Sequence, residues 1–150
     1  MKRLLYISLL CLLPFCMLPA QNTDPHLKRL IECINNSDLV CATKELPMVE
    51  DWTYNEDYKI DDVDNYTAFI KYIQEIDSAS NLNNFNLYYA DQLQAMSDFC
   101  HDNNDLHKSL YYLQLIEDLE LEKSKKLRFT DILILTTLEE ILEKELNLEE

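Results

Sequence analysis

The 150-residue chain contains no glycine, where ordinary usage would give roughly one residue in fourteen. Glycine is the residue that takes positive φ without steric cost and lets a backbone come close to a ligand. Without it, the phosphate-cradling P-loop, the dinucleotide fingerprint and the nucleophile elbow are excluded in their usual forms. Tight two-residue hairpin turns lose their best residue as well, which argues against a strand-rich fold. A helical protein can turn its corners on Asn, Asp and Pro instead, and Asn and Asp are plentiful between the apolar runs here. Positive charge is also scarce: 13 Lys and Arg stand against 28 Asp and Glu, a net charge of −15. A chain this acidic repels phosphate backbones and anionic lipid, so nucleic acid and membrane surfaces are poor partners and basic ones fit better.

What is present begins with a targeting pattern. Residues 1–20 read MKRLLYISLLCLLPFCMLPA: Lys2 and Arg3 form a basic start, Leu4 to Leu13 an apolar core, and Leu18-Pro19-Ala20 a cleavage edge. The apolar stretch is short for a membrane span and is broken by Pro14. A signal peptide cut after Ala20 is expected, sending the remainder to the periplasm or the medium without membrane insertion. Retention as an anchor stays open. Neither Cys11 nor Cys16 follows the small residue that a lipidation signal usually has. Loss of Lys2 and Arg3 would carry the net charge from −15 to −17. Cys33, Cys41 and Cys100 would remain. Cys33 and Cys41 flank a predicted turn and could pair, but pairing cannot be read from spacing. The odd number favours reading all three as buried small hydrophobes.

Residues 21–150 read as one all-α domain of about six helices. Asp24-Pro25 is an N-cap followed by proline at the first helical position, and Leu27, Leu30, Ile31 and Ile34 recur on one face. Asn35-Asn36-Ser37 breaks the run. A second helix carries Leu39, Ala42, Thr43 and Leu46, and Pro47 ends this first hairpin, 24–46. Residues 47–63 lack a clean period and read as a loop pinned by Trp52 and Tyr54. A third helix, 64–77, buries Tyr66, Phe69, Ile70, Ile73 and Ile76. A second hairpin, 85–123, carries Tyr89, Leu93, Met96 and Cys100, then Leu106, Leu110, Leu113 and Ile116. Lys123 to Lys126 sit where positive charge favours the C-terminus of that hairpin's second helix. A terminal helix, 127–146, runs through Ile132, Leu135, Leu138 and Leu142. Short connections between such helices give antiparallel hairpins, stacked as a bundle or a short solenoid.

One internal echo points to repetition. CINNSDLVCA (33–42) and CHDNNDLHKS (100–109) align without gaps at an offset of 67 residues, close to twice the 34-residue period of tetratricopeptide repeats. Residues 90–123 resemble one such repeat, with Leu93 and Met96 at its large apolar positions and Ser97 and Ser109 at the small positions where two helices touch. Leu113 and Ile116 fall at later packing positions. Cys100 departs from the usual aromatic, Leu121 from the usual proline and Asn104 from the common turn glycine. Residues 26–46 resemble a poorer hairpin, and 127–146 a further first helix or cap. The resemblance implies a concave groove lined by Asp91, Gln94, Asp98, His101 and Asp102. That stripe is acidic, so the implied partner is a basic or amide-rich peptide or protein segment.

Little in the sequence suggests catalysis. The histidines are His26, His101 and His107, and Cys100-His101 with His107 matches no common zinc spacing. Asp61, Asp62 and Asp64 lack the glycine and closing glutamate of a calcium loop and read as caps. Asn35-Asn36-Ser37 and Asn65-Tyr66-Thr67 are formal glycosylation acceptors, and Asp77-Ser78-Ala79 resembles a bacterial O-glycosylation acceptor. The expectation is a non-enzymatic interaction module of the tetratricopeptide type, with no catalytic, metal or cofactor site. The alternative is a small acidic immunity or inhibitor protein that covers a basic site on a toxin or enzyme. Self-association through Tyr88, Tyr89, Tyr111 and Tyr112 is a further possibility.

Overall fold

A computed structural model of the chain describes residues 23–76, 80–119 and 125–147, with side chains of the last stretch from Thr130 onward. The expectations for the leader, for Asp77 to Ala79 and for Leu121 and Lys123 therefore lie outside the described residues. Within them the chain is all-α, with helices α1 (Pro25–Asn35), α2 (Leu39–Glu45), α3 (Val63–Glu75), α4 (Leu82–Asp102), α5 (Leu106–Asp118) and α6 (Lys125–Asn147), and a 3-10 turn at Leu46–Met48.

The first helix starts where Asp24 can cap it. Asp24 Oδ1 accepts the N–H groups of His26 at 2.7 Å and Leu27 at 3.2 Å, two of the donors a helix start leaves without partners. Its Oδ2 accepts the N–H groups of Glu50 at 2.9 Å and Asp51 at 3.0 Å, so one carboxylate ties the helix to the loop after α2. Burial works against its ionisation, but the four backbone donors outweigh that and hold its pKa below the ordinary value. Asp24→Ala is expected to cost about 2 kcal/mol, the upper end for a cap, because the loop bonds go with it. Urea unfolding of the two proteins measures this, and a loss under about 0.5 kcal/mol would mean that the loop holds without Asp24.

The echoed segments fold alike, down to individual hydrogen bonds. Asp38 N–H donates to Cys33 O at 2.8 Å and Ser37 N–H to Ile34 O at 2.9 Å. Sixty-seven residues on, Asp105 N–H donates to Cys100 O at 2.9 Å and Asn104 N–H to His101 O at 2.8 Å. This is the paired bonding of a Schellman helix end. It needs one left-handed residue, supplied by Ser37 at φ 57° and Asn104 at φ 64°. In a chain without glycine these corners are made by residues that carry a Cβ, at some steric cost. Asp38 and Asp105 then cap the next helices, accepting from Cys41 N–H at 3.0 Å and Lys108 N–H at 3.3 Å.

Cys33 and Cys41, expected as buried small hydrophobes, are joined in a disulfide, with Cα atoms 5.8 Å apart, and Cys100 is a buried free thiol, the one such cysteine among the described residues. The three-residue corner brings the last turn of α1 beside the first turn of α2, a proximity that belongs to the turn geometry. Cys100 occupies the echoed place of Cys33, but the place of Cys41 is taken by Lys108.

Residues 49–62 are an irregular strap held on both sides. Asn35 grips it through its amide, donating to Lys59 O at 2.8 Å and accepting from Asp61 N–H at 3.0 Å. The buried Gln92 does the same to Ile60, and the Tyr88 hydroxyl donates to Tyr58 O. Trp52 meets Phe85 and Tyr88 edge-on, each with ring centroids 6.4 Å apart, and Tyr54 lies 5.6 Å from Tyr88. The expected pinning by these two aromatics is what the strap has. Beneath it Tyr66 stacks on Tyr89 at 4.0 Å and Phe69 meets Phe85 edge-on at 5.2 Å, joining α3 to α4 in one core with Leu27, Leu30 and Ile34 of α1.

Several expected boundaries shift. Helix α3 starts at Val63, capped by Asp62, and Ile76 is its exposed C-cap rather than a core residue. Helix α4 begins at Leu82, behind Asn81 in the left-handed region, instead of near residue 85. Lys125 and Lys126 open α6 and do not close α5, which ends at Asp118. The apolar run of α6 is also turned: Ile132, Leu135, Leu138 and Leu142 are exposed, and Thr130, Thr137 and Ile141 are buried. Two interleaved stripes on one helix cannot be ranked by periodicity when both contain apolar residues.

Candidate acidic cleft

Between α4, α5 and α6 lies a cleft of about 350 Å³. One wall is the outer face of α4, with Gln94, Asp98, His101 and Asp102. Those positions fall within about one helical stripe at 3.6 residues per turn. Ser97, Ser109 and Leu113 form the floor, and Leu133, Thr136 and Thr137 of α6 form the far wall.

The floor exists because α4 and α5 come very close. Ser97 and Ser109 are both buried, their hydroxyl oxygens lie 2.8 Å apart, and Ser97 Oγ is 3.1 Å from Ser109 O. Small side chains that satisfy each other's polar atoms let two helices approach without leaving an orphaned hydroxyl. The far wall is tied on by His101, whose Nε2 lies 3.1 Å from Glu140 Oε2, and by Lys144, which donates to Asn104.

The lining is rich in acceptors. Thr136 and Thr137 donate their hydroxyl hydrogens to the carbonyls of Ile132 and Leu133 at 2.9 and 2.8 Å, which leaves their oxygens only as acceptors. Gln94 donates through its amide to Asp98 at 2.8 Å. With the carboxylates of Asp98 and Asp102 alongside, the cleft suits a group that brings N–H donors and positive charge.

Four of the five residues expected to line a groove thus share one cleft, and Asp91 does not. It stands on the strap side of α4, where its charge, after burial and Glu56, helps to raise the pKa of Tyr54. The reason is coverage: α6 walls only the last turns of α4, and the strap occupies the space beside the earlier ones. Leu133, Thr136 and Thr137 were not among the expected groove residues, all of which lie on α4. Threonines at 130 and 137, seven residues apart in an apolar helix, were the available signal for the buried face.

Other candidates resolve into structural roles. Tyr88 and Tyr89 are buried, which removes them from any tyrosine strip for self-association, leaving Tyr111 exposed and Tyr112 half-buried. His26 Nδ1 lies 2.8 Å from Glu45 Oε2, a hydrogen bond that raises the pKa of His26. Asp62 caps α3 by accepting from Asp64 N–H at 3.1 Å. Asn35, the formal glycosylation acceptor, has its amide committed to the strap. Among the described residues no group of three His, Cys, Asp or Glu side chains is arranged to hold a metal, and no helix is long and apolar enough to cross a membrane.

Fold and cleft together define an all-α protein of helical hairpins with an acceptor-lined cleft between its last three described helices. No family model, no curated protein and no solved structure matches the chain.

Proposed function

We propose that the chain is an exported, non-enzymatic interaction module built of tetratricopeptide-like hairpins, which captures a basic or amide-rich segment of a peptide or protein in the cleft between α4, α5 and α6. The observation that carries this reading is the convergence of Gln94, Asp98, His101 and Asp102 on one cleft with the acceptor hydroxyls of Thr136 and Thr137. The hairpin type draws support from the Ser97–Ser109 contact and from the identically bonded corners 67 residues apart. Export draws support from the leader pattern and from the Cys33–Cys41 disulfide, which suits an oxidising compartment.

The test measures capture of a labelled Lys/Arg-containing peptide by fluorescence anisotropy. Asp98→Lys/Asp102→Lys is expected to weaken capture tenfold or more with an unchanged helical spectrum. Glu75→Lys/Glu117→Lys, an equal charge change at exposed sites outside the cleft, is expected to change it less than twofold. Equal losses in the two variants would mean that overall charge, and not the cleft, attracts the peptide. The alternative of an acidic inhibitor rests on the net charge of −15. It predicts a tight one-to-one complex with a folded basic protein that weakens steeply with salt.

A further inference from the structure

Helix α6 carries a second surface, distinct from the cleft. Its packed side consists of Thr130, Thr137 and Ile141, with Leu133 and Ile134 against the core. On the opposite side Ile132, Leu135, Leu142 and Leu146 are 59%, 62%, 57% and 65% exposed, and Leu138 beside them is 38% exposed. These side chains form one apolar stripe about 20 Å long, at 1.5 Å of rise per residue. A contiguous stripe of large aliphatic residues on a soluble surface marks an interaction site more often than scattered exposure does.

Charge limits what can cover it. Asp131, Glu143 and Glu145 are exposed along its margins, and Glu139 stands at its midpoint. The one cation between residues 131 and 147, Lys144, is turned to Asn104 on the α4–α5 corner. A second copy of the chain fits badly: symmetric antiparallel pairing over Ile132 to Leu146 sets Glu139 against Glu139 in the middle of the contact, a like-charge pair that opposes association. A helix with apolar anchors at i, i+3, i+4 and i+7 and with Lys or Arg beside them matches both the stripe and its acidic surround.

We infer that this face of α6 docks a basic amphipathic helix of a partner protein, with its leucine-type anchors on Ile132, Leu135, Leu142 and Leu146 and a cation against Glu139. The probe is a labelled synthetic Leu/Lys amphipathic helix, compared with a Leu/Glu helix of identical apolar pattern, titrated with the purified chain. The Lys helix is expected to bind and the Glu helix to bind at least tenfold more weakly. Leu135→Asn/Leu142→Asn, which changes no charge and alters exposed positions, is expected to weaken the Lys helix tenfold or more with the fold intact. Asp98→Lys/Asp102→Lys in the cleft is expected to affect it less than Glu139→Lys/Glu143→Lys does, so that failure of the cleft reading and failure of this one are separable. Full affinity in the Asn variant would reduce the binding to net charge and overturn the proposal. Equal binding of the Glu helix would overturn it, as would a dimer dissolved by the Asn substitutions. Photo-crosslinking from position 142 to residues 1–20 would assign the face to the chain's own leader and overturn it too.

Discussion

Gln92→Ala is expected to destabilise the protein by about 3–4 kcal/mol. Gln92 is 1% exposed on α4, where a polar side chain costs free energy unless it is fully bonded. Its Oε1 accepts from Ile60 N–H at 2.9 Å and its Nε2 donates to Ile60 O at 2.7 Å, so the amide pairs with the strap as a neighbouring strand would. Alanine leaves a buried N–H and a buried C=O without partners, at about 1–3 kcal/mol each, and opens a cavity besides. Gln92→Glu is a sharper probe: a carboxylate can accept from the N–H but cannot donate to the carbonyl, and it adds a buried charge. Both variants are expected to shift the urea midpoint strongly and to release the Ile60 amide to hydrogen exchange. A loss below about 1 kcal/mol in Gln92→Ala would show that the aromatics and the bonds to Asp24, Asn35 and Tyr88 hold the strap without Gln92.

The second large effect is alkaline unfolding. Burial raises the phenol of Tyr88 to about 12, partly offset by a backbone hydrogen bond, and burial likewise raises Tyr66 and Tyr89 well above the ordinary value of 10.0. These hydroxyls stay protonated in the folded chain at pH values where the unfolded chain has released them. The folded state then binds more protons, so stability falls as pH rises. The stabilisation is fully present below about pH 10 and is lost progressively as pH climbs toward the folded values. All three phenols are displaced in the same direction, so their losses add. The thermal midpoint is therefore expected to drop steeply between about pH 10 and 12. Tyr66→Phe, which keeps the ring stacked on Tyr89 and loses the hydrogen bond from its hydroxyl to Asn86, is expected to flatten that slope while lowering stability at neutral pH. An unchanged midpoint across this range would mean that the three rings are not held as the core has them.

Much of the architecture was legible because it is local. Asp24-Pro25 favours a helix start from its own residues, since the cap and the missing N–H act within one turn. The corners at Asn35 to Asp38 and Asp102 to Asp105 are set by short polar residues that end one helix and begin the next, and their likeness is visible in the sequence as a ten-residue echo. The face of α1 was read correctly because it has a single apolar stripe, and on α5 Leu106, Leu113 and Ile116 are buried as expected while Leu110 is half-buried. Ser97 and Ser109 stood out as small residues on facing helices, and they do meet.

What the chain determined by itself, then, is its helical character, most of its helix ends and the acidic face of α4, because capping, proline and apolar periodicity operate over a few residues. Tertiary packing decided the Cys33–Cys41 bond, the grip of Asn35 and Gln92 on the strap, the exclusion of Asp91 from the cleft and the choice of which stripe of α6 is buried. Those outcomes depend on which surfaces arrive opposite one another. A side chain's partner across space leaves no periodicity of its own in the sequence.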